Sequence, residues 1–172
     1  MKKQIGIIII FFLCLFTLVA GKGEIMAEDQ KNKTGFDISF HHVGISVANL
    51  DESIAWYRDM LGFEEVVRME QGVTEDKMLI GHIRRGDCYI ELFQVEGSKS
   101  LPEYRRDPNA DFGVQGLKHF ALRVSDVQAA VKELKAKGVE VAFGPVDTPE
   151  IRFVFIRDNS GNAFELIEYK EK

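Results

Sequence analysis

Two cysteines in 172 residues leave little for covalent cross-linking. Cys14 sits in the apolar front end, and only Cys88 lies in the remainder. No intramolecular disulfide can therefore form there, and the fold must rest on its core and on any metal it binds. Basic charge is also scarce, with 22 Lys and Arg against 27 Asp and Glu and no basic cluster. That balance argues against nucleic acid as a partner. Long apolar runs are limited to one, from Ile5 to Ala20, behind Lys2 and Lys3 and ahead of Gly21-Lys22-Gly23. A positive start, an apolar middle and small residues near a cut are the layout of a secretory signal peptide. The run is shorter than the roughly 20 residues a membrane-spanning helix needs.

These signals divide the chain into a signal peptide over 1–27, a polar linker over 28–35 and one domain over 36–172. The mature N-terminus is expected between Lys22 and Glu28, with the product exported to the periplasm or the outside. An uncleaved segment would instead anchor it in a membrane through residues 5–20. Cys14 follows Phe11-Phe12-Leu13, which lacks the small residue a lipoprotein cut wants. Removing Lys2, Lys3, Lys22 and Glu24 with the leader moves the net charge from −5 to −7.

The domain repeats itself. One copy opens His42-Val43-Gly44-Ile45-Ser46-Val47 and closes Tyr89-Ile90-Glu91-Leu92; the other opens His119-Phe120-Ala121-Leu122-Arg123-Val124 and closes Ala163-Phe164-Glu165-Leu166. From His to Glu is 49 positions in the first and 46 in the second. Such a duplication implies two copies of one structural unit.

Within each copy the patterning predicts a βαβββ module. Ser39–Val47 alternates as a strand, and Asn49 or Asp51 caps a helix with Leu50, Ile54, Tyr57 and Leu61 on one face. Gly62 ends that helix, and strands follow over 63–69, 77–84 and 88–94. The second copy gives a strand over 117–124, a helix capped by Ser125 or Asp126, Gly138, and strands near Glu140, over 151–157 and over 163–169. The fold class is therefore α+β: two tandem modules, about 36–95 and 115–170, forming a cupped mixed sheet with a central metal site. Between them, residues 95–114 are polar, carry Pro102 and Pro108 and show no sustained period. A connection this long is unusual unless it acts, here as an arm that could cover a cavity mouth.

Alternation also aims the polar side chains. His42 and His119 fall on the strand face opposite the helix-packing residues, and Glu91 and Glu165 each stand between two hydrophobes of a last strand. Four such groups converging in a partly buried cup are costly without compensation, which one divalent cation supplies. The candidate metal ligands are His42, Glu91, His119 and Glu165, a set that suits Zn, Ni, Co, Mn or Fe(II). On an octahedral ion two positions stay open, for water or a small-molecule substrate with neighbouring oxygens. Glu165 and Glu91 are the candidate catalytic carboxylates. Tyr89 and Phe93 flank Glu91, and Arg123 follows His119 on its face; these three are the candidate substrate contacts. Arg105 and Arg106 in the arm could act at the mouth, His82 could line the cup, and His41 faces the other way and reads as structural.

These residues carry a resemblance. The segments His42 to Val47, Trp56-Tyr57-Arg58-Asp59-Met60-Leu61-Gly62-Phe63, and Phe155 to Leu166 resemble the vicinal oxygen chelate superfamily. That group includes lactoylglutathione lyase, methylmalonyl-CoA epimerase, extradiol dioxygenases and the fosfomycin- and bleomycin-resistance proteins. The resemblance covers about Phe36 to Tyr169, and the family's ligand positions map onto the same four residues. The chain departs from the pattern at Asn159-Ser160, where the family often has Pro-Asp.

A His, Glu, His, Glu set resembles bacterial lactoylglutathione lyases and, closely, the epimerases. What this implies is proton transfer next to a carbonyl by a metal-dependent lyase or isomerase, with an enediolate stabilised and a carboxylate moving the proton. A sequestering, resistance-type protein and a dioxygenase are the alternatives. Glutathione adducts, the best-known substrates of the look-alikes, are rarely met by an exported protein. A homodimer is open as a partner.

Overall fold

The computed structural model describes Phe36 and residues 38–72 and 77–171. The expected signal peptide and the whole of the expected linker lie outside these residues. Among the described residues, no helix is long and apolar enough to cross a membrane. Contacts divide the chain after Ser39, and the unit Phe40–Lys172 holds both modules.

Module 1 consists of β1 (His42–Ser46), α1 (Leu50–Leu61), β2 (Glu64–Gly72), β3 (Lys77–Arg85) and β4 (Cys88–Val95). Asn49 caps α1, accepting from the Glu52 N–H, and Asp51 and Glu52 place negative charge at its positive end. Gly62 closes the helix with φ 69°, a left-handed conformation that costs glycine nothing. Module 2 repeats the order with β5 (Ala121–Arg123), α3 (Val127–Ala136), β6 (Val141–Asp147), β7 (Ile151–Arg157) and β8 (Ala163–Tyr169). Asp126, one of the two expected caps, accepts from the Ala129 N–H. The arm is not without structure: it holds a 3₁₀ turn at Glu103–Arg105 and the short helix α2 at Pro108–Asp111.

The mixed sheet is built as two four-stranded sheets, β1-β4-β3-β2 and β5-β8-β7-β6. In each, the first strand runs parallel to the last and the others are antiparallel. The βαβββ reading holds for both modules. Two strands are shorter than expected: β1 spans His42–Ser46 rather than Ser39–Val47, and β5 spans Ala121–Arg123 rather than 117–124. Residues Leu117–Phe120 line a cavity, and of this stretch the Phe120 carbonyl still accepts from the Glu165 N–H at 2.9 Å.

One core serves both modules. Tyr57 and Phe63 from module 1 are fully buried with Phe164 and Leu166 from module 2. Phe164 stacks on Tyr57 and meets the edge of Trp56, ring centroids 6.2 Å apart in both cases. The β7–β8 turn staples the modules together. Asp158 accepts from the Tyr57 hydroxyl at 3.1 Å and from the Ser160 and Asn162 N–H groups at 2.9 Å. Asn159 accepts from the Ser53 hydroxyl, Ser160 from the Ala48 N–H, and the Asn162 amide donates to the Ser46 carbonyl. The two residues that depart from the family pattern are thus both partners of module 1.

Candidate metal centre

Parallel pairing decides which side chains meet. In module 1 Gly44 is opposite Glu91, and in module 2 Ala121 is opposite Glu165. His42 stands two positions before Gly44, and His119 two before Ala121. Period-2 alternation keeps each imidazole on its carboxylate's face, one diagonal step away. The neighbours of both Glu, namely Ile90, Leu92, Phe164 and Leu166, are buried on the helix side.

The result is the same His–Glu contact twice. His42 Nε2 lies 3.2 Å from Glu91 Oε2, and His119 Nε2 lies 3.5 Å from Glu165 Oε2. Ligand atoms at bonding distance from one divalent ion stand roughly 3.0–3.4 Å apart, so the His42–Glu91 pair matches one edge of a coordination polyhedron and the His119–Glu165 pair lies just beyond it. Imidazole nitrogen with carboxylate oxygen is also the donor chemistry such an ion takes. The four expected ligands meet as two pairs and not as one group. Among the described residues, no three or more His, Cys, Asp or Glu side chains gather into a metal-holding cluster. Register within each module brings a His to its Glu; only the approach of the two modules could bring pair to pair.

The pairs have different surroundings. Around Glu91, His82 Nε2 lies 2.9 Å from Oε1, a contact whose importance sequence reading underrated. His41 also joins in, its Nδ1 2.7 Å from His42 Nδ1 and its ring stacked on Tyr89. Its place on the far face of the alternation did not suggest this, because β1 begins only at His42. Phe93 lies over Gly44: a Cβ there would stand 2.9 Å from the Phe93 ring and 3.9 Å from Glu91 Oε2. The expected Tyr89 and Phe93 therefore both reach the His42–Glu91 neighbourhood.

Beside His119 the walls mix phenylalanines with charged side chains, among them Asp111, Lys118 and Arg157. A cavity of about 260 Å³ is lined by Gly44 and Ser46 of β1, by His119, Phe120 and Phe155, and by the arm. Phe155 meets His119 edge-on with ring centroids 4.7 Å apart. From the arm come Leu101, Arg105 and Phe112, so the connection does cover this cavity. Arg105 is held there by Asp111 at 3.4 Å and by the Leu117 carbonyl at 3.0 Å. Arg106 contributes its carbonyl to Arg157 and is not among the lining residues. Arg123 is elsewhere too: its guanidinium lies over the Tyr169 ring, and it lines two other cavities. Burial pushes the Cys88 thiol up, which leaves less of the nucleophilic thiolate.

The comparisons agree with this architecture. A Bacillus subtilis protein named only as uncharacterised YwkD is 32% identical over 136 residues, 76% of this chain and 96% of its own. The mitochondrial methylmalonyl-CoA epimerase of Dictyostelium discoideum is 33% identical over 143 residues, 77% of each chain. Among solved structures, the glyoxalase family protein from Enterococcus faecalis superposes with a TM-score of 0.62 at 24% identity, covering 76% of this chain and 97% of that one. The model of the Glyoxalase/Bleomycin resistance protein/Dioxygenase superfamily matches residues 39–166, and the chain belongs to that superfamily.

Proposed function

We propose that this protein is a metal-dependent enzyme that moves a proton at a carbon next to a carbonyl, as a lyase or an isomerase. The observation that carries the reading is the His–Glu pair formed twice, at equivalent register, in a duplicated module. Independent surface residues have no reason to recur in this way. The relationship to an epimerase supports the same class of chemistry.

A divalent ion would be held by His42, Glu91, His119 and Glu165, and when bound would polarise a substrate carbonyl oxygen and make the adjacent C–H more acidic. The protein's own part is to take and return the proton. Glu165 suits this task, because its carboxylate meets only His119 among the described residues, and both His119 and Phe155, the strand partner of Glu165, line the cavity. Phe120, Phe155 and Phe112 give that space an apolar part of its lining. Arg105 stands at the arm side, where it could receive a carboxylate on the substrate. The aromatic walls also favour a second reading, a protein that only sequesters an apolar small molecule.

We further propose that the chain is exported, which turns the search for substrates away from glutathione adducts. The test is metal analysis of the purified protein, followed by deuterium exchange on 2-hydroxy acids, 2-keto acids and thioesters. His119→Ala should lower bound metal well below one ion per chain, and Glu165→Gln should slow exchange by about 10²–10⁴-fold. Full metal occupancy in a His42→Ala/His119→Ala double variant would end the metal reading. Tight ligand binding without exchange by the native protein would establish the sequestering one.

A further inference from the structure

The two modules differ at one strand position that register makes equivalent. On β3 His82 is the residue opposite Glu91, and on β7 Phe155 is the residue opposite Glu165. Phe155 packs on His119 and offers Glu165 no hydrogen bond. His82 places its Nε2 2.9 Å from Glu91 Oε1, while His42 Nε2 stands 3.2 Å from the other oxygen, Oε2. A carboxylate only accepts, so His82 donates its N–H to Oε1. Glu91 is therefore held from both sides and Glu165 from one. His82 is itself only partly exposed, so water competes weakly for this hydrogen bond.

We propose that His82 is a positioning residue for Glu91. By fixing Oε1 it turns Oε2 toward His42 and presents that oxygen as a single, pre-oriented ligand atom. Groups that orient a ligating carboxylate in this way commonly set metal affinity without touching the ion. The two carboxylates are then unequal by construction, one anchored and one able to swing. This rests on the metal reading above, and nothing in it requires His82 to change protonation state.

The repeat supplies its own control, since Phe155 shows that the module accommodates phenylalanine at this place. Co(II) affinity would be measured by chelator competition on the purified native protein, His82→Phe and His82→Gln, with melting of each metal-free protein alongside. His82→Phe should bind Co(II) about 10–100-fold more weakly, with its metal-free melting unchanged. His82→Gln, whose amide N–H can donate at the same point, should recover most of the affinity and the native Co(II) visible spectrum. If metal-free His82→Phe melts early, His82→Leu carries the same comparison. Native protein that takes up no Co(II) would overturn the metal reading and this role with it. Native binding with equal affinity in His82→Phe would overturn the role alone, as would a loss that His82→Gln fails to restore.

Discussion

Tyr57 shows how one side chain can tie two halves together and leave a trace in solution. Its ring is part of the shared core and its hydroxyl donates to Asp158, 101 positions away. Burial first, and then the Asp158 carboxylate, raise its pKa well above the ordinary tyrosine value. The unfolded chain loses this proton near pH 10, while the folded protein keeps it. Above about pH 10 the unfolded state therefore binds fewer protons, and stability falls as pH rises; below it, the contribution is fully present. Tyr57→Phe should lower the unfolding free energy by about 1–2 kcal/mol at neutral pH and flatten the alkaline decline. Denaturant titrations at pH 7 and pH 11 read both effects, and an unchanged alkaline slope would refute the assignment.

Among the elements, the β7–β8 turn does more than connect two strands. Asn159-Ser160 is where the chain departs from the pattern of the family it resembles, and the structure shows that both residues bond module 1. Asp158 is the hub. Asp158→Ala would leave a buried tyrosine hydroxyl and two backbone N–H groups without their acceptor. That should cost roughly 3–5 kcal/mol, clearly more than Tyr57→Phe, because unpaired buried donors lose their full solvation. Equal midpoints for the two variants in urea would mean that the turn is not the staple described. The short β5 belongs to the same scale: a patterned strand gave way over Leu117–Phe120 because those residues face a cavity and the arm.

For the molecule as a whole, duplication produces two equivalent frameworks and then lets them diverge. Module 1 surrounds its pair with His41, His82 and Tyr89, whereas module 2 surrounds its pair with Phe120 and Phe155. Under the proposed function, the hydrogen-bonded pair supplies the fixed ligand and the pair beside the phenylalanines the freer carboxylate. The proposed export is tested at this scale too. N-terminal sequencing of the protein from cell fractions should find a start between Lys22 and Glu28 in the exported fraction, whereas full-length chain confined to the cytosol would exclude export.

Much of this was legible in order along the chain. The two βαβββ modules, the caps Asn49 and Asp126, the stop at Gly62 and the His–Glu faces all follow from periodicity and local backbone chemistry, which act within a few residues. Tertiary structure alone decided the rest. His82 meets Glu91, Asn159 and Ser160 meet module 1, Arg105 enters the cavity, and Arg123 turns instead to Tyr169. Those outcomes depend on strand register and on which module a turn or arm packs against. Period-2 alternation specifies a face; it does not specify the neighbour, because the neighbour is set by residues dozens of positions away that share only the core.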